Sequence, residues 1–309
     1  MTTNDAPRNE QDRVSAPGIY AELPMPAYLG QPCPGPAVQG TDIKRLFDEC
    51  PAYAFGLWSG NPNRAEEDET EATSFGTAFH MLLLEPENFA RAYVVAPEGM
   101  NFSTKDGKAL KAEAEAAGQE IVSHKAMQRM QRMRDEIAAH PMGRKILDRK
   151  AMAEATMVAK CPETGLWLKA RPDFLMPDAP ALTVNLKTAQ RPNPRHWQRQ
   201  ASDLGYHVSA AFTRYVARLL LLHDALPYAF LVAGSKPPHL PFVATLEDAA
   251  VGWGDLIVRR GLRTFADCLA AGKWPGYSDE VVTIGLPVWE EKRLQQMHEA
   301  GYFTEEKAA

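Results

Sequence analysis

The chain is short of cysteine: four residues in 309, Cys33, Cys50, Cys161 and Cys268, scattered with no CxxC spacing. No thiolate zinc site or iron–sulfur cluster is suggested, and a disulfide framework is not expected, so free thiols in a reducing cytoplasm are the default. No apolar run is long enough to span a bilayer, and the polar start, MTTNDAPRNEQDR, does not read as a signal peptide, so no membrane partner is expected. Internal repeats are absent too. Basic charge is not in excess: 34 Lys and Arg stand against 39 Asp and Glu, a formal net charge of -5. A global signature of nucleic-acid binding is therefore missing, although a single basic groove is compatible with this balance. What is present, 45% hydrophobic and 24% charged residues, is ordinary for a globular chain with room for a sizeable core.

Residues 1–16 are polar and aperiodic and read as a disordered tail. Residues 17–40, rich in Pro and Gly, read as an irregular arm over the surface or a strap reaching a neighbouring subunit. Thr41 is a candidate N-cap for a short helix carrying Ile43, Leu46 and Phe47 on one face, and an acidic loop with Glu66, Glu67, Asp68 and Glu69 follows. A helix from Ser74 to Leu84 places Gly76, Thr77, His80, Leu83 and Leu84 on one side. A lone histidine on such a face is more often a hydrogen-bonded core residue than a ligand. Residues 103–140 read as helical. Met127, Met130, Met133 and Ile137 form a packing stripe, and Lys125, Arg129, Arg132 and Arg134 lie on the other face, solvated or touching a DNA backbone. Strands are expected over 153–160, 228–234 and 242–245, the last two as a hairpin, and helices from Tyr206 and over 248–271. The expected organisation is a tail and arm over 1–40, then one α/β domain over 41–309 with a mixed central sheet flanked by helices.

Chemistry concentrates in LWLKARPDFLMPDAPALTVNLKT, residues 166–188, which reads as two neighbouring strands joined by a Pro/Asp-rich turn. Lys169, Arg171 and Asp173 alternate onto one face of the first strand, and Asn185 and Lys187 onto one face of the second. Pro172 cannot donate to a ladder, which puts Asp173 where the first strand ends or bulges. A carboxylate facing a polar residue and a lysine suits metal-dependent phosphodiester cleavage: the acid holds Mg²⁺ and the ammonium steadies the nucleophile or developing charge. Taken alone the pattern is weak, and a turn-forming Pro-Asp with a solvated edge-strand lysine accounts for it as well. Glu154 either points into this site or is an exposed strand-end charge. The loop that follows, with Arg191, Arg195, Trp197 and Arg199, has the basic–aromatic interleaving of a phosphate-binding rim, with Trp197 able to stack on a base.

Several separated stretches agree on one family. Pro172-Asp173 and Asn185-Leu186-Lys187 resemble the two halves of the PD-(D/E)xK nuclease motif. SFGTAFHMLLLEPENF, LWLKARPDF, VNLKT and LGYHVSAAF resemble, in order, the GxAxH…LEP, KxRPD, (V/I)DxKT and YHxQAAxY segments of exodeoxyribonuclease VIII (RecE-type) enzymes. The resemblance covers about residues 40–292. It implies a restriction-endonuclease-like fold and an Mg²⁺- or Mn²⁺-dependent exodeoxyribonuclease acting on double-stranded DNA ends. It also implies a role in phage-type recombination, a homo-oligomer around DNA and a strand-annealing protein as partner. It further implies Asp173 as principal metal ligand, His80 beside the metal, Lys187 as catalytic lysine, Glu154 as an additional acid and the Leu186 carbonyl as a further ligand. Arg171 is expected on the nucleic-acid side. Two positions depart from the pattern: Asn185 stands where the family has an acid, and Ser209 where it has glutamine. Both imply a weakened site, a site whose acid has moved, or a module that grips DNA without cutting.

Overall fold

The structure, a computed structural model, describes residues 13–65, 71–178, 181–220, 222 and 226–303. Most of the expected disordered tail and the acidic run Glu66–Glu69 lie outside the described residues. The chain divides into two compact units, Met1–Trp274 and Pro275–Ala309.

The arm is part of the larger unit's own sheet. Strand β1 (Gly18–Tyr20), helix α1 (Met25–Leu29) and strand β2 (Ala37–Val38) lie along it, with Val14 buried against Leu23, Ala37, Val158 and Trp167. The expected surface strap is thus sheet-forming backbone. It is anchored because Lys169, fully buried, donates to the carbonyls of Tyr28 and Gly30. The helices that follow are α2 (Gly40–Asp48), α3 (Pro51–Leu57), α4 (Glu71–Leu84) and α5 (Pro86–Ala92). The N-cap of α2 is Gln39, not Thr41: the Asp42 carboxylate accepts the Gln39 N–H at 2.9 Å.

The stretch 103–140, expected to be helical throughout, is interrupted by a strand. A short parallel ribbon of β3 (Tyr93–Val95) and β4 (Glu120–Val122) brackets α6 (Lys105–Ala117), and α7 (His124–Ala139) and α8 (Pro141–Leu147) follow. The ladder wins because Tyr93, Val94, Val95, Ile121 and Val122 are β-formers flanking a left-handed Gly118 that ends α6. The Met130, Met133 and Ile137 stripe is fully buried, as its spacing requires.

Two sheets meet around a shared break. The first has the order β1, β6 (Thr156–Lys160), β7 (Trp167–Ala170), β2. The second has the order β11 (Phe242–Thr245), β10 (Tyr228–Gly234), β9 (Leu182–Ala189), β8 (Phe174–Met176), β5 (Met152–Ala153). The chain passes from β5 to β6 through Glu154, and from β7 to β8 through Arg171–Asp173, so both transfers occur side by side. Pro172 interrupts one ladder, and Glu154 turns the other with a φ of 52°.

Between β9 and β10, which run parallel, the crossover is helical: α9 (Pro194–Asp203) and α10 (Tyr206–Leu219). The β10 run YAFLVAG is buried at every position, as a strand covered on both faces must be. Met130, Met133 and Phe79 cover Val184 and Leu186 on one side of the sheet; on the other, Phe212 and Val216 of α10 pack with Met157 and Leu168 of the first sheet. Helix α11 (Asp248–Ala271) lies close on α10: a Cβ on Gly254 would stand 2.4 Å from the His207 carbonyl oxygen. The smaller unit carries helix α12 (Val288–Glu299), which has no buried residue. Among the described residues, no helix is long and apolar enough to cross a membrane.

Candidate metal centre

The break between the sheets builds the site. Because Asp173 follows the proline that ends β7, its side chain is turned inward: Oδ2 accepts the backbone N–H of Leu186 on β9, and its own carbonyl accepts the Glu154 N–H at 3.1 Å. Glu154, held in the left-handed region, is aimed at the same spot. Such a backbone costs an ordinary side chain about 1–2 kcal/mol and is found where surrounding structure holds it for use. From above, α4 lowers His80, whose Nδ1 is 3.7 Å from Asp173 Oδ1. One ligand atom each from His80, Glu154 and Asp173 lie within 4.8 Å of one another.

The electrostatics agree with a cation site. Burial pushes the Glu154 carboxyl up to about 8, and the neighbouring Asp173 charge adds to the shift. Burial also acts to raise Asp173. There the charge and hydrogen bond of His80, the Lys187 ammonium and the Leu186 N–H outweigh it, and the carboxyl stays below its ordinary range. Asn185 Oδ1 is buried with no hydrogen-bond partner. An orphaned amide oxygen beside two carboxylates and an imidazole is a donor set that fits a hard divalent cation. Such a cation would be held by Asp173, Glu154, His80 and Asn185.

These groups open into a cavity of about 500 Å³ that Lys187, Arg171, Tyr206 and Glu85 also line. The Lys187 Nζ lies 5.6 Å from the Tyr206 ring centroid. A smaller cavity of about 250 Å³ shares Asn185, Lys187 and Arg171 and adds Lys44, Lys169 and Ser209. Burial lowers Lys169 to about 8 and also lowers Lys44.

Of the residues singled out from sequence, His80, Glu154, Asp173, Asn185 and Lys187 converge. Leu186 contributes its N–H to Asp173 while its side chain is buried core. Three expectations for nucleic-acid contacts change. Arg171 is half-buried and engaged within the chain, donating to Thr156 Oγ1 at 2.7 Å and to the Leu23 carbonyl, with its guanidinium 4.6 Å from the Tyr28 ring centroid. Trp197 is 4% exposed, edge-on to Phe230 at 5.2 Å and Phe242 at 5.5 Å, so no ring is offered for stacking. The expected loop is helix α9, capped by the Asn193 side chain, which leaves Arg195 and Arg199 exposed and Trp197 facing inward. Glu85, in the LEP segment five positions after His80, lines the cavity without a signal in the sequence, because a contact across the end of a helix has no local periodicity.

A mixed α/β sheet broken at a Pro-Asp, with an acid cluster and a lysine on the neighbouring strand, defines a PD-(D/E)xK-like domain. The chain belongs to the family described as PDDEXK-like domain of unknown function (DUF3799), whose model matches residues 41–285. Comparison with curated proteins gives no match. A solved structure from Eubacterium rectale, named "Putative exonuclease", is similar with a TM-score of 0.50 at 11% identity, covering 82% of this chain and 91% of that one. At that identity the likeness is one of fold.

Proposed function

We propose that the protein is a divalent-metal-dependent exodeoxyribonuclease that works from double-stranded DNA ends, of the RecE-type branch, with a role in recombination. The observation that carries this reading is the convergence of His80, Glu154 and Asp173 within 4.8 Å, beside the orphaned Asn185 amide oxygen. Mg²⁺ or Mn²⁺, when bound, supplies Lewis-acid polarisation of the phosphate and lowers the pKa of water. Asp173 fixes the cluster through its bond to the Leu186 N–H, and Lys187 brings an ammonium to the same cavity, where it offsets charge developing on the phosphate. A homo-oligomer and a strand-annealing partner belong to the same proposal.

Asn185 favours a second reading, a nuclease fold that binds DNA with weakened cleavage, because a neutral amide replaces a charged ligand. One experiment separates the two. End-labelled linear duplex is incubated with Mg²⁺ or Mn²⁺ and either the unaltered protein or Lys187→Ala. Cleavage that Lys187→Ala abolishes supports the enzyme. Binding without cleavage, with cutting switched on by Asn185→Asp, supports the second reading.

A further inference from the structure

A third cavity, of about 730 Å³, adjoins the metal centre, and Thr188 of β9 lines both it and the 500 Å³ cavity. Arg129 reaches it from α7, Arg191 from the turn after β9, His196 from α9 and Lys236 from the turn between β10 and β11. Among the described residues that line it there is no Asp or Glu. In a chain of net charge -5, this concentration of one sign is a local feature that focuses a positive potential.

The turns carrying Arg191 and Lys236 are tied to one another. The Ser235 N–H donates to the Ala189 carbonyl at 2.8 Å, which extends the pairing of β9 and β10 into their turns. His239 Nδ1 lies 2.9 Å from the Gly234 carbonyl oxygen, closing the hairpin on itself. A Cβ on Gly234 would stand 3.0 Å from Pro192 Cγ, so the turn bearing Arg191 is pressed against the turn bearing Lys236. On the opposite side the Arg129 guanidinium lies 3.6 Å from the Phe75 ring centroid, a planar cation on an aromatic face. Arg191 and Lys236, brought side by side along an open cavity, suit a ligand with repeated negative charge, and a single phosphate ion would leave most of the volume empty. A cavity in the range that accepts drug-sized groups, about 300–1,000 Å³, has the volume for one or two nucleotides of a single strand.

We infer that this cavity is the track along which a single nucleic-acid strand reaches the metal centre, its phosphates held by Arg191 and Lys236. The inference rests on the nuclease reading, and the following test keeps the two apart. Fluorescence polarisation of a labelled oligothymidylate is measured without divalent cation, so that no cleavage intervenes, across a salt series. Arg191→Gln/Lys236→Gln is compared with the unaltered protein and with Lys105→Gln/Lys160→Gln, two exposed lysines outside the cavity. Thermal melting checks that each variant is folded, and a Mn²⁺ titration reads the metal centre separately. The cavity variant should bind at least about tenfold more weakly at low salt, with a log–log salt slope shallower by about 1.4, two contacts at roughly 0.7 each on a single strand. The lysine control should match the unaltered protein. Equal affinity and slope in the cavity variant, or no single-strand binding by a protein that still takes Mn²⁺, would overturn the track and leave the metal centre standing. Binding confined to duplex would overturn it as well. Loss of strand binding in the cavity variant of a protein that takes no Mn²⁺ would leave the cavity as a single-strand site but overturn both the nuclease reading and the track to a metal centre.

Discussion

Two charged stretches of this chain, KARPD with VNLKT and RPNPRHWQRQ, look equally functional on paper, and the fold treats them differently. In the first, the polar residues all end up around the two cavities that share Asn185 and Lys187. In the second they scatter: Trp197 enters the core, Arg195 and Arg199 face solvent, and Arg191, His196 and Gln200 line a cavity separate from that of the acid cluster. The difference is one of periodicity and anchoring. A strand's period of two fixes which side chains share a face before any neighbour is known, and Pro172 marks where that strand must stop. In the second stretch a helix begins at Pro194, and its apolar face is decided by the sheet it packs on.

The largest expected effect that sharpens this contrast is on catalysis. Lys187→Ala should lower cleavage by about 10²–10³-fold, the range for one preorganised charge-stabilising group, while leaving the melting temperature and Mn²⁺ binding near those of the unaltered protein. An equal loss on Arg195→Ala/Arg199→Ala would erase the distinction between the two stretches.

In the second stretch the large effect is on stability. Trp197→Ala should cost roughly 3–5 kcal/mol, as expected for an aromatic removed from a packed interior, read by urea unfolding. Strand binding that falls with no change in stability would put the ring back on the surface.

Lys169 offers a pH test of the anchoring beneath the first stretch. Its folded pKa is depressed from 10.5 to about 8, chiefly by burial. Below about 8 both folded and unfolded forms are protonated and the cost of the buried charge is present in full. As pH rises from about 8 to 10.5 the unfolded chain binds more protons, so this cost is relieved and stability rises. The full swing is on the order of 3 kcal/mol. Against Lys169→Met, the unaltered protein should gain relative stability across that window. A flat difference would mean that the ammonium is not desolvated beneath the arm.

The smallest effect is expected at Glu154. Glu154→Gly should stabilise the fold by about 1 kcal/mol, since glycine accepts the positive φ that the glutamate endures, and should at the same time weaken Mn²⁺ binding. A destabilised variant would show that the left-handed turn is held by the side chain itself.

Much of the architecture was legible in the sequence because it was periodic: the Met130, Met133 and Ile137 stripe, the bounds of α11, the β10–β11 hairpin, the strand break at Pro172. What was not legible depended on distant partners. Strands β3 and β4 are three residues each and pair across an intervening helix, so β3 has no strand signal of its own and β4 none strong enough to interrupt the helical reading of 103–140. The arm reads as loose because its prolines and glycines disguise the short strands that pair with β6 and β7. His80, Asp173 and Lys187 were legible as a motif. Glu85 and Lys236 were not, since each reaches its cavity only through the packing of separate elements, while Arg129 was legible only as one of four basic residues on a helix face.

The central claim is that His80, Glu154, Asp173 and Asn185 hold one divalent cation. Mn²⁺ binding to the purified protein, followed by electron paramagnetic resonance beside Asp173→Asn, tests it most directly. The account predicts one saturable site per chain in the unaltered protein and its loss in a variant that remains folded. A folded Asp173→Asn protein that binds Mn²⁺ as well as the original, or an original that binds none, would contradict it.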